Sequence, residues 1–134
     1  MASLRDLGTV SVTIPAGPGY VHVLRAVAAS VAARLPMSLD DVDDLRLAVD
    51  EAAGRLLQIP ETTRLTVDVQ ALAEGLEIAV VCDGVAATWP EPDAKATLPW
   101  KILTALAERV RFERRDGVAS IRFVKRAQPL EVRA

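Results

Sequence analysis

The run Leu76-Glu77-Ile78-Ala79-Val80-Val81-Cys82 is the feature that most limits how this chain can fold. Seven residues with a single charge show no clean alternation, so a strand built from them is apolar on both faces. Such a strand belongs at the centre of a sheet, with neighbours on each side. Two other stretches do alternate. Val10, Val12 and Ile14 oppose Thr9, Ser11 and Thr13, while Leu65, Val67, Val69 and Ala71 oppose Arg64, Thr66, Asp68 and Gln70. These predict half-buried strands. Two further strands, 109–115 and 118–125, flank Asp116-Gly117, where glycine supplies the positive φ of a tight hairpin.

Three helices complete the pattern. The first carries Val21, Leu24, Ala28, Val31 and Leu35 at spacings of three and four, and Pro36 ends it. The second starts at Ser38 as N-cap, with Asp41 standing where a capping box has Glu or Gln. Asp40, Asp41, Asp43 and Asp44 fill its first turns, where the helix dipole favours anions. Its stripe is Val42, Leu45, Val49, Ala52, Leu56 and Ile59, closed by Pro60. The third opens on Thr97 and Pro99, with a stripe of Ile102, Leu103, Leu106 and Val110. Before it, Asp83 to Ala96 has no periodicity and contains Trp89-Pro90-Glu91-Pro92. A loop of that length inside a compact domain is commonly functional. Trp89 serves there either as an anchor for a partner or as a plug. The order strand, helix, helix, strand, strand, loop, helix, strand, strand implies an α/β chain of the α+β two-layer kind. One mixed, mostly antiparallel sheet would carry the helices on one face. No repeat or linker divides it, so a single domain over 1–134 is expected, with a core over about 8–126 and a loose tail from Ala127.

Composition narrows the function. The 51% hydrophobic content is aliphatic, because aromatics make up only 4%. A net charge of -2 and few aromatics argue against nucleic-acid binding. Cys82 stands alone, which excludes an internal disulfide and suits a reducing compartment. No apolar run approaches the roughly 18–20 residues that cross a bilayer, and no apolar signal core opens the chain. A cytoplasmic protein without membrane association is the expectation. His22 has no second histidine to build a metal site with, so no metal centre is expected. Asp40, Asp41, Asp43, Asp44, Asp50 and Glu51 cluster early; Arg109, Arg111, Arg114, Arg115, Arg122, Lys125 and Arg126 cluster late. They form either two solvated faces or a docking surface for a charged partner.

The element order resembles the GHKL group of ATPase folds, and local sequences narrow the resemblance. Asp43–Ala52, DDLRLAVDEA, is similar to the segment that opens the first ATP motif of the RsbW/SpoIIAB anti-sigma factor kinases. Leu98–Arg126 resembles their C-terminal helix and hairpin, and Leu24–Leu35 their first helix. The resemblance spans roughly Val10 to Arg126 and rests on combined order and spacing. It implies a catalytic general base at Glu51 for phosphoryl transfer to a serine. Where the family has a magnesium-ligating Asn, this chain has Arg55, whose guanidinium has no acceptor for a cation. A guanidinium suits a phosphate, so direct contact of Arg55 with one is the alternative. Glu51 and Arg55 also form an i,i+4 pair in the favoured order, worth roughly 0.2–0.5 kcal/mol. Asp83 stands at the family's adenine-recognising Asp, but Gly84-Val85-Ala86-Ala87 replaces the glycine pattern after it. The family's glycine-rich lid is here Ala96-Thr97-Leu98-Pro99-Trp100, and Pro99 lacks the N–H that a phosphate would use. Trp100 either fills the nucleotide's place or packs in the core.

The resemblance therefore implies a scaffold whose nucleotide site is vestigial, with no cofactor or with ATP or ADP held weakly. Arg25 matches the family arginine that meets both protein partners, and it lies about 90° from its helix's apolar stripe. The implied function is an anti-sigma factor, homodimeric, that sequesters a stress-type RNA polymerase sigma factor. An anti-anti-sigma (STAS) protein would release it. An active ATP-dependent serine kinase acting on that STAS protein, and a repurposed α/β interaction domain, stand as the alternatives.

Overall fold

The computed structural model describes residues 8–127, so the tail beyond Ala127 lies outside the described residues. Five strands and three α-helices follow in the expected order. They are β1 (Thr9–Pro15), α1 (Val21–Ala32), α2 (Leu39–Leu56), β2 (Arg64–Leu72), β3 (Gly75–Cys82), α3 (Leu98–Leu106), β4 (Glu108–Arg115) and β5 (Val118–Arg126). The sheet order is β1-β2-β3-β5-β4, which puts the apolar run of β3 in the middle. Leu76, Ile78 and Val80 are fully buried there against the helices, and Ala79 is buried on the opposite face.

All neighbouring strands pair antiparallel, which corrects the expectation of a mixed sheet. The reason is in the connections. One crossover helix returns the chain for a parallel strand, but β1 and β2 are joined by two helices, which reverse it. The single helix α3 does set β4 in the direction of β3, yet β5 inserts between them. The β4–β5 turn holds Asp116 at φ 53° and Gly117 at φ 79°, the pair of positive values that a two-residue hairpin demands.

The helices lie side by side on one face. α1 packs on β1 and β2, α2 over β3 and β5, and α3 against β4. Ser38 caps α2 by accepting a hydrogen bond from the Asp41 amide at 3.1 Å. The Asp41 carboxylate does not reach back to complete a capping box. It lies 3.7 Å from Lys125 of β5, which also meets Asp44 and donates to the Leu106 carbonyl at 2.9 Å. That lysine faces the helix layer and can join all three elements, so it draws the carboxylate away from the local motif.

Two apolar positions depart from the sequence pattern. Val10, on the helix-facing side of β1, is 36% exposed because α1 does not cover the strand's start. Val110, expected to end the stripe of the third helix, lies buried in β4 beside a register shift between Glu108 and Arg111. On the sheet's other face Glu77, Arg111, Glu113 and Arg122 pair among themselves. The late arginines are in this way largely neutralised within the chain. No helix among the described residues is long and apolar enough to cross a membrane.

Candidate functional site

The C-terminal half of α2, the loop after β3 and the start of α3 meet beside β4. Arg55 leaves α2 on this side, and its side chain is only 16% exposed. Its guanidinium is ion-paired with Glu91 of the loop and lies 4.9 Å from the ring centroid of Trp89. Burial pushes the Arg55 pKa down from its ordinary value. Trp89 is buried at 5% exposure and stacks on Phe112 of β4, with centroids 5.1 Å apart and planes 10° from parallel. Trp100, near the start of α3, meets Phe112 edge-on at 5.3 Å, and Lys95 sits 5.7 Å over Trp100. Two cations thus bracket three aromatic rings. The loop is fastened at its other end by Arg114, which donates to the carbonyls of Ala86 at 2.9 Å and Ala87 at 2.6 Å. Trp89 takes the place of a plug, and Trp100 packs against the core.

The expected Glu51–Arg55 pair does not form; Arg55 turns to Glu91 and Trp89 instead. Magnitudes account for the choice. The local pair offers roughly 0.2–0.5 kcal/mol, whereas a desolvated cation–π contact alone offers about 0.5–2 kcal/mol, with the ion pair added to it. Glu51 is left half-buried on α2, without hydrogen bond or ion pair among the described residues.

Asp83 is held elsewhere. Its carboxylate accepts from the Thr63 hydroxyl at 2.5 Å, the Thr63 amide at 2.7 Å and the Arg64 amide at 2.9 Å, and so ties the end of β3 to the start of β2. The Thr63 hydroxyl first, then the Arg64 and Thr63 amides, lower its pKa to about 2. Gly84 is buried under the preceding turn. A Cβ there would lie 2.3 Å from the Thr62 hydroxyl oxygen and 2.7 Å from the Pro60 carbonyl. The close approach that glycine permits is occupied by the chain itself. What remains beside Arg55 is a cleft of about 120 Å³ lined by Gln58, Ile59, Pro60, Val85, Ala86, Thr88, Trp89 and Glu91. Neither Glu51 nor Asp83 nor Gly84 lines it. α3 is capped by the Thr97 hydroxyl, with Pro99 in its first turn.

The sequence did not point to Glu91, Phe112, Lys95 or Arg114. One signal was available: the chain has five aromatic residues, two Trp, two Phe and one Tyr. Three of them converge here, in and around its long aperiodic loop.

Arg25 sits where the sequence placed it, on the flank of α1. Its side chain is 40% exposed, and its guanidinium donates to Asp50 of α2 at 3.1 Å.

No model of a protein family matches the chain. Among characterised proteins it is 31% identical over 109 residues to the anti-sigma-F factor RsbW of Mycobacterium tuberculosis, a match over 79% of this chain and 62% of that protein. It is 39% identical over 49 residues to the serine-protein kinase RsbW of Bacillus velezensis, covering 37% of this chain and 31% of the relative. The chain therefore spans under two thirds of the length of either relative. Among solved structures, the RsbU and RsbW domains of Rv1364c from Mycobacterium tuberculosis superpose with a TM-score of 0.65 over 88% of this chain and 32% of theirs, at 16% identity. The fold is shared with that structure, and over 79% of its length the chain is similar in sequence to a protein named an anti-sigma-F factor RsbW.

Proposed function

We propose that this chain is a cytoplasmic anti-sigma factor. It binds a stress-type RNA polymerase sigma factor, and a STAS-type anti-anti-sigma protein releases it by competing for an overlapping surface. The resemblance also implies a homodimer. Its resemblance to the mycobacterial anti-sigma-F factor supports this reading. The single structural observation that carries it is Arg25, half-exposed on α1 and paired with Asp50 of α2 at 3.1 Å. An exposed pair of this kind contributes about 0–1 kcal/mol, so Arg25 can exchange Asp50 for a carboxylate on a partner without disturbing the fold.

Affinity purification of the tagged chain from its own cells, with mass spectrometry of the eluate, is the first test. A sigma factor in the eluate is the expected result; neither a sigma factor nor a STAS protein there sinks the proposal. Arg25→Glu is then expected to weaken sigma binding at least about tenfold with an unchanged melting transition, since charge reversal at a contacting pair costs about 1.4 kcal/mol or more. Equal affinities of variant and wild type remove Arg25 from the interface.

One observation favours the serine kinase reading, namely a half-buried Glu51 on α2 that has no ion pair or hydrogen bond among the described residues. It predicts transfer of labelled phosphate from Mg-ATP to a STAS protein, abolished in Glu51→Ala. No transfer by the wild type ends that reading.

A further inference from the structure

We propose that the loop segment Val85–Glu91 is a built-in occupant of the corner where relatives would hold a magnesium nucleotide, so that this chain engages its protein partner without one. The proposal rests on the anti-sigma reading and adds how its site is governed.

The residues at this corner do not fit the group. A divalent cation needs an oxygen donor at position 55, and a guanidinium has none. The Arg55 charge is matched from within by Glu91, which supplies the anion that a phosphate would otherwise bring. The space beside Gly84 is taken by Ile59, Pro60 and Thr62. The cleft that Arg55 itself lines measures about 120 Å³, below the roughly 300 Å³ at which pockets for drug-sized ligands begin; the groove of about 690 Å³ beyond Glu91, beside Lys95 and Trp100, is lined by none of Arg55, Glu51 and Asp83. Pro99 removes an amide from the first turn of α3, where phosphate oxygens would be received.

The loop is also held as an occupant would be. Arg55 grips it from α2 through Glu91 and Trp89, Phe112 stacks on Trp89 from β4, and Arg114 holds the carbonyls of Ala86 and Ala87. The Val85 amide donates to the Pro60 carbonyl at 2.8 Å. The indole Nε1 of Trp89 is buried without a hydrogen-bond partner among the described residues. Trp89 is therefore held by its ring faces and not by its N–H, so phenylalanine should serve in its place.

Hydrogen exchange on the purified wild-type chain tests this without any variant. The Val85 and Trp89 amides, which donate to the Pro60 and Ala86 carbonyls, are expected to be protected in buffer, with no change on adding Mg-ADP. Free exchange of these two amides, or protection that appears only with Mg-ADP, overturns the proposal. Equilibrium dialysis with labelled Mg-ADP then compares wild type, Trp89→Phe and the double variant Arg55→Asn with Trp89→Ala. The first two are expected to show no saturable binding at a nucleotide concentration tenfold above the Kd that the double variant displays. Equal ADP binding by wild type and double variant, or none by a double variant that still melts cooperatively, refutes the plug. These assays use only the chain and ADP, so they stand even if no sigma partner is found. Conversely, a sigma factor captured only in the presence of Mg-ATP upholds the anti-sigma reading and refutes the plug.

Discussion

Asp83 shows how one side chain can keep a family position while serving the chain around it. Its three accepted hydrogen bonds hold the pKa near 2, against the ordinary 3.8. A folded-state pKa below the unfolded value means stability that is complete above about pH 4 and is lost as pH falls through about 2. Asp83→Asn is therefore expected to be less stable than wild type in urea at neutral pH, with the gap narrowing between about pH 4 and pH 2. A gap that stays constant across this range would show that the carboxylate's charge does not contribute. Arg55 makes the complementary point. Local spacing offers it Glu51, but residues 34 and 36 positions away in sequence, Trp89 and Glu91, compete more strongly. Helical periodicity says which face a residue occupies and nothing about which distant loop crosses that face, so Arg55's partners were not legible in the sequence.

At the scale of elements, α2 carries a matched pair of glycine experiments with the turn that follows β3. A Cβ on Gly54 of α2 would meet nothing within 4 Å, whereas one on Gly84 would meet the Thr62 side chain and the Pro60 carbonyl. Gly54→Ala should raise stability by about 0.5–1 kcal/mol, the helix-propensity difference. Gly84→Ala should lower it by about 1–3 kcal/mol, the cost of forcing atoms into a packed site. Urea unfolding of the two variants should show midpoints on opposite sides of wild type; a neutral Gly84→Ala would mean that the turn at 59–62 moves freely. Elements were the most legible level. The Ser38 cap, the opening of α3 at Thr97 and Pro99, the Asp116-Gly117 hairpin and the central β3 all depend on chemistry within a few residues, and all appear as expected. The register shift in β4 beside Val110 is encoded by no local pattern.

Across the whole molecule, the early acidic and late basic runs turn out to be partly each other's partners. Lys125, 14% exposed, brings Asp41 and Asp44 of α2 and the Leu106 carbonyl of α3 onto β5. Charge segregation along the sequence is thus in part a record of which ends of the chain meet. The fold class was legible because single-striped helices and a doubly apolar strand admit few arrangements. The antiparallel pairing throughout was not, because it depends on β5 entering between β3 and β4. The aromatic stack has an optical consequence. Both tryptophans of the chain lie in the same cluster, Trp89 buried and Trp100 edge-on to the shared Phe112. Tryptophan emission from this protein is therefore a gauge of one small region. Its colour and quenching follow the loop, while rearrangements of β1 or of the partner-facing flank of α1 leave it dark.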